Sequence, residues 1–138
     1  MIAYLESSVV LRIVLGSPGR FEEWDRCEWL VTSALTEVEC LRALDVMRVR
    51  RIMPDEDLVR RLTAVRECLR SAEMVEVSRA VLDRASGPLP VALRTLDAIH
   101  LATALSWRGR HEKDLTMVTH DIDLGRAATA MNLAVVGV

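Results

Sequence analysis

Four carboxylic acids occupy positions that ordinary folding requirements do not explain as a set: Glu6, Glu39, Asp97 and Asp121. Glu6 directly follows an apolar, β-branched run at residues 2–5, and Asp121 follows another at 115–119, with His120 between. In open parallel sheets, ligands bind just beyond the carboxyl ends of the strands, so both acids should share one sheet edge. Glu39 lies in the first turns of a helix that follows a third such run, residues 29–32. Glu37 is two residues away, roughly 200° round that helix, so only one of the two can face the edge. Asp97 opens a segment, residues 96–107, that is otherwise apolar nearly all round. A carboxylate in such surroundings is costly unless it is paired or holds a metal.

Taken singly, these acids have modest structural roles open to them. Asp121 can cap a helix, Glu39 can close a capping box from Thr36, and Asp97 can cap after Thr95. Convergence of four such caps on one edge is the harder reading. A cluster of carboxylates with no cysteine or histidine pair beside it calls for a hard, oxygen-bound cation, Mg2+ or Mn2+. Cys27, Cys40 and Cys68 are odd in number and widely spaced, with no C-x-x-C, which points to reduced thiols and away from a disulfide framework or zinc.

The elements that must position these acids follow from periodicity. Strands are expected at residues 2–5, 29–32, 74–77, 115–119 and 134–138. Between them lie helical patterns: an apolar stripe through Val9, Val10, Ile13 and Val14, stopped by Ser17-Pro18-Gly19; a short amphipathic piece at 21–27; a helix capped by Ser33 or Thr36 and running to about Met47; another opening on Pro54-Asp55-Glu56-Asp57 and ending near Arg70; a short one at 79–85; a buried one at 96–107; and an alanine-rich one at 121–131. Alternation of strand and helix implies a parallel sheet covered on both faces, so the fold class is α/β, a three-layer α/β/α arrangement around a central parallel five-stranded sheet.

Composition sets the bounds. With 138 residues, 51% of them apolar, the chain can build one substantial core, and one domain over 1–138 is expected. No apolar run approaches the roughly 20 residues needed to span a bilayer, and residues 1–6 carry no basic leader, so a cytoplasmic protein without membrane association is expected. Net charge is −2, but eight arginines stand against five acids between Arg42 and Arg70. That basic stretch suits phosphate contact, partner docking or simply a solvated helix pair. Met47, Val49, Ile52 and Met53 add apolar surface near its turn, for docking or for core packing.

Several segments carry a family likeness. Tyr4-Leu5-Glu6-Ser7-Ser8-Val9-Val10, the stretch S-A-L-T-E-V-E-C-L-R-A-L from Ser33, T-L-D-A-I-H-L-A-T-A-L from Thr95 and V-T-H-D from Val118 resemble, in order, the four motifs of PIN-domain ribonucleases of the VapC toxin type. The resemblance spans Tyr4 to Asp121. It implies a PIN-like fold and a metal-dependent endoribonuclease acting on single-stranded RNA, with Glu6, Glu39 (in preference to Glu37), Asp97 and Asp121 as catalytic acids. Glu6 and Asp97 would hold Mg2+ or Mn2+ directly, with Glu39 and Asp121 reaching it through water. Ser7 and Thr119 are supporting hydroxyls, Arg94 either pairs with the cluster or meets a phosphate, and Asp123 is a solvated helix residue. The family further implies a cognate VapB-like antitoxin and a homodimer. One departure stands out: the first acid is usually aspartate, and Glu6 adds a methylene, which opens a second possibility of an RNA- or partner-binding module with weak or no catalysis. His100, on the polar stripe of Asp97 and Thr103, is given no ligand role. A receiver-like phosphoacceptor would need a lysine at a later strand end, and the only lysine, Lys113, precedes the run at 115–119 instead.

Overall fold

A computed structural model describes residues 1–16 and 26–138. In chain order the elements are β1 (Ile2–Leu5), α1 (Ser7–Leu15), β2 (Trp29–Ser33), α2 (Ala34–Val49), α3 (Asp55–Arg70), β3 (Glu73–Val75), α4 (Arg79–Ala85), α5 (Thr95–His111), β4 (Thr116–Val118), α6 (Ile122–Ala130) and β5 (Ala134–Val136). The strands form one five-stranded sheet in the order β3-β2-β1-β4-β5, every pairing parallel. This is the expected α/β sheet.

Side-chain alternation along the central strand sorts the core into two halves. Tyr4 packs with Leu101, Leu105 and Trp107 of α5 and Leu124 and Ala127 of α6. Its neighbours Ala3 and Leu5 face the other way, onto Val9, Val10 and Val14 of α1, Cys40 and Leu44 of α2, and Val65 and Leu69 of α3. The sheet is therefore covered on both faces, and truncating a fully buried anchor such as Leu101 to alanine should cost about 2–5 kcal/mol. Among the described residues no helix is long and apolar enough to cross a membrane.

The element ends differ from the periodicity in instructive ways. The Ser17-Pro18-Gly19 stop lies outside the described residues, as does the amphipathic piece at 21–27 apart from Arg26 and Cys27. α1 already ends at Gly16, whose φ of 68° is the left-handed turn that glycine tolerates and whose N–H reaches back to Arg12 and Ile13 carbonyls. Ser33, not Thr36, caps α2 by accepting from the Leu35 N–H at 3.1 Å. β5 stops at Val136 because Gly137 turns the chain at φ 102°; a Cβ there would meet the Thr119 carbonyl oxygen at 2.6 Å. β3 starts one residue earlier than its hydrophobicity suggests and ends at Val75, since Ser78 is taken as the cap of α4. α5 runs on past Trp107 to His111, whose ring stacks on the Trp107 indole.

Candidate active site

β1 is where the strand order reverses: the chain goes from β1 to β2 and β3 on one side, and later returns to β4 and β5 on the other. The crevice beyond the carboxyl ends of strands at such a point is where α/β sheets bind ligands. Leu5 pairs with Val118, so the residues that follow, Glu6 and Thr119, emerge side by side. The backbone keeps them there, with the Glu6 N–H donating to the Val118 carbonyl at 3.1 Å and the Thr119 N–H to the Val136 carbonyl at 3.1 Å.

Glu6 is both the N-cap of α1 and the most tightly bound acid of the group. Its Oε1 accepts from the Ser7 hydroxyl at 2.5 Å and the Ser8 N–H at 3.0 Å. Its Oε2 accepts from the Ser8 hydroxyl and, at 3.1 Å, from Thr119 Oγ1. Burial alone would raise this carboxyl, but the Ser7 and Ser8 donors outweigh it and hold Glu6 below its ordinary value. Ser8 and Thr119 knit the two strand ends further: the His120 N–H donates to Ser8 Oγ at 3.3 Å, and the Asp121 N–H to Thr119 Oγ1 at 3.0 Å. The Ser7 hydroxyl thus supports the Glu6 carboxylate, and the N-cap of α1 is Glu6 itself.

Asp97 sits in the first turn of α5, whose N-cap Arg94 makes no side-chain capping bond. The Asp97 side chain is only 15% exposed and accepts from Arg94 Nε at 3.2 Å. Arg94 also extends Nη2 to within 3.6 Å of an Asp121 carboxylate oxygen. Burial and the charge of Asp121, reinforced by Glu6, push the Asp97 carboxyl above its ordinary value, against the opposing pull of Arg94. Asp121 spends one oxygen as the cap of α6, accepting from the Leu124 N–H at 2.8 Å. The capping role is thus realised for Asp121, while Asp97 has no capping bond.

Glu39 and Glu37 part company as the helical spacing requires. Glu39 Oε1 meets Nε2 of the fully buried His100 at 2.6 Å, and Glu39 lines a cavity of about 470 Å3 with Arg94, Thr95, Leu96 and Asp97. Glu37 instead lines a groove with Arg66, Leu69, Arg70 and Met74 on the far side of α2. Thr36 bonds to Thr32 at 2.8 Å, so no capping box forms with Glu39. Asp123 is exposed and lies 3.5 Å from Arg126.

Sequence reasoning set His100 aside and passed over Tyr4 and Ser8. The spacing Asp97–His100–Thr103 was a usable signal for the first, and the serine doublet after Glu6 for the last. Tyr4 carries no local signal, because its hydroxyl finds His100 across 96 residues of sequence. Cys40 and Cys68 form no disulfide; burial pushes the Cys40 thiol up to about 12 and the Cys68 thiol to about 11, which leaves both as thiols.

The group is all-oxygen, acidic and partly desolvated, the donor chemistry of a hard divalent cation. The fit lies in that chemistry and in the unbalanced charge at Asp97. With the side chains as they stand, no group of three or more Asp, Glu, His or Cys among the described residues is poised to hold a metal.

A parallel sheet whose strand order reverses at β1, with helices on both faces, defines a doubly wound α/β protein. The match to the PIN domain family covers residues 3–130, and the chain belongs to that family. Ribonuclease VapC35 of Mycobacterium tuberculosis is 37% identical over 96% of this chain and 94% of its own length. Ribonuclease VapC46 of the same organism is 34% identical over 96% and 95%. Among solved structures, the fold is similar to that of VapBC2 from Rickettsia felis bound to a DNA fragment from their promoter. The TM-score is 0.69 at 13% identity, over 99% of this chain and 98% of that one.

Proposed function

We propose that this chain, as a single PIN domain, is a metal-dependent endoribonuclease that cleaves single-stranded RNA, the toxin of a VapBC-type pair working in the cytoplasm. The observation that supports it most directly is the half-buried Asp97 carboxylate beside Asp121, raised by its desolvation and by the Asp121 charge and paired, among the described residues, with an exposed arginine. Its relatives named ribonucleases supply the reaction class.

In this reading Asp97, expected to hold Mg2+ or Mn2+ together with Glu6, would do so with Asp121 instead, because four donors already occupy the Glu6 oxygens. Glu39 and Glu6 would complete the acidic site, and Arg94 would have to give up both aspartates. The cation, when bound, supplies neutralisation of charge at the scissile phosphate and a lowered pKa for an attacking water. Glu39, which lines a cavity with Asp97, would contribute the carboxylate oxygen not held by His100. Arg94, freed from the acids, meets a phosphate of the RNA. Ser7, Ser8 and Thr119 fix the Glu6 carboxylate against the strand ends, so that it adds negative potential without moving.

A VapB-like antitoxin is the partner in this reading, and α2 and α3 supply its docking surface. Of the apolar residues near their turn, Val49 and Ile52 are exposed while Met47 and Met53 pack toward the core. A homodimer completes the assembly.

One observation favours a second reading, a PIN-fold binding module with weak or no catalysis: the Glu6 oxygens accept four hydrogen bonds between them and have little capacity left for a metal. A single experiment addresses both. Cleavage of a single-stranded RNA is measured with Mn2+ for the wild type, Glu6→Asp and Asp97→Ala. The nuclease reading expects cleavage that EDTA and Asp97→Ala abolish, with Glu6→Asp more active; a chain inert in both its own and the Glu6→Asp form overturns it.

A further inference from the structure

We infer that His100, with Tyr4 behind it, is the positioning residue for Glu39. The buried imidazole fixes one oxygen of that carboxylate so that the other is presented to the site cavity. The inference rests on the reading above, for RNA cleavage in one readout and for Glu39 at the cation site in the other.

The geometry is a rail through three elements. His100 lies one turn beyond Asp97 on α5 and is fully buried. Its Nε2 stands 2.6 Å from Glu39 Oε1 on α2, and its Nδ1 stands 2.9 Å from the Tyr4 hydroxyl on the central strand β1. A carboxylate can only accept, so Nε2 carries the proton and donates it to Glu39. A phenol hydroxyl can donate as well as accept, so with the proton on Nε2 the Tyr4 hydroxyl donates to Nδ1. One neutral tautomer satisfies both bonds, and the edge-on packing of the two rings, centroids 6.0 Å apart, locks the imidazole in place.

Such a device answers a real difficulty. Glu39 is a long side chain on a helix surface, and fixing it costs rotamer entropy. Among the described residues its only hydrogen bond is the one to His100, so removing the ring leaves the carboxylate free to swing out of the cavity it shares with Asp97. Tyr4 anchors the other end, paired in register with Val31 and Met117 in the middle of the sheet. A histidine that merely filled space would make its contribution to folding whether or not Glu39 were present. One that acts through Glu39 would not.

The test is a double-mutant cycle with His100→Leu and Glu39→Ala, joined by His100→Gln, which keeps an N–H near Nε2, and Tyr4→Phe, which deletes only a hydroxyl. Two readouts are taken on each full-length variant: kcat and KM on a single-stranded RNA with Mn2+, and Mn2+ affinity by calorimetry without RNA. His100→Leu should lower kcat and Mn2+ affinity ~10–100-fold, the usual effect of losing a group that orients a ligand. KM should stay constant, His100→Gln should recover most of the loss, and Tyr4→Phe should give a smaller loss of the same kind. In the Glu39→Ala background, His100→Leu should cost nothing further in either readout. Equal losses in both backgrounds overturn the inference, as does wild-type kcat and Mn2+ affinity in both His100→Leu and Tyr4→Phe. If His100→Leu does not fold, Tyr4→Phe decides by the same criterion. Failure of the ribonuclease reading shows separately, as RNA cleavage indifferent to Asp97→Ala, and the Mn2+ cycle then decides the role of His100 alone.

Discussion

The Glu6 corner of the site surrounds its carboxylate with four donors from Ser7, Ser8 and Thr119, whereas the Asp97 corner, on the same sheet edge, offers one partner, the 83%-exposed side chain of Arg94. The two acids are shifted in opposite directions as a result: Glu6 is held below its ordinary value and Asp97 is pushed above it. The difference teaches where stability and where chemistry reside. A carboxylate with every lone pair engaged strengthens the fold and is slow to exchange partners. One left short of partners, with Asp121 pressing on it, weakens the fold and is ready for a cation.

Breaking the Asp97 corner should have the largest effect. Asp97→Asn is expected to reduce RNA cleavage by more than the ~10–100-fold typical of a supporting residue, measured by single-turnover kinetics with Mn2+. The same variant should melt a few degrees higher than wild type at neutral pH. The sign follows from the raised carboxyl: the folded state keeps the proton longer than the unfolded chain, so stability falls as pH rises from about 3.8 through the folded value, and asparagine removes that penalty. Calorimetric melting with no gain in midpoint would sink the claim that this corner is strained.

Glu6→Gln should do the reverse at the other corner. An amide places a donor against hydroxyls already donating there, at a cost of about 1–3 kcal/mol in urea unfolding at neutral pH. Because Glu6 is held below its ordinary 4.5, its stabilisation is fully present above that pH and fades as pH falls through the lower folded value. The gap between wild type and Glu6→Gln should therefore narrow in acid; a gap independent of pH argues that the charge on Glu6 contributes nothing.

The contrast between the corners also marks how far sequence reasoning reaches. The parallel α/β fold was legible because every strand is a short apolar run beside a helix-period stripe, and β1 and β4 bring Glu6 and Thr119 together with no information beyond order and register. Glu39 was separable from Glu37 by angle alone. What could not be read was who satisfies whom. Ser8 reaching Glu6 is a local rotamer choice, and Tyr4 reaching His100 depends on two elements packing across the sheet. The ends of β3 and β5 were misplaced for related reasons, since Ser78 and Gly137 act through caps and backbone angles that hydrophobic periodicity does not register.

The smallest expected effect sharpens the comparison most, because it concerns the one residue that lies between open and closed at the Asp97 corner. Arg94 reaches both Asp97 and Asp121, yet its side chain is exposed, and ion pairs in water contribute only ~0–1 kcal/mol. Arg94→Ala should therefore leave the unfolding free energy within about 1 kcal/mol of wild type. Its removal takes away the group that pulls the Asp97 carboxyl down, so that carboxyl should titrate still higher in side-chain NMR. Mn2+ should bind more tightly to the apo protein, since two carboxylates no longer have a guanidinium to release first. RNA cleavage separates the two uses of the arginine: a raised KM at saturating Mn2+ means that the freed guanidinium meets a phosphate, and an unchanged KM confines it to the acids. Weaker Mn2+ binding in Arg94→Ala would mean that the arginine organises the acids for the metal instead of competing with it, and the Asp97 corner would then be as closed as that of Glu6.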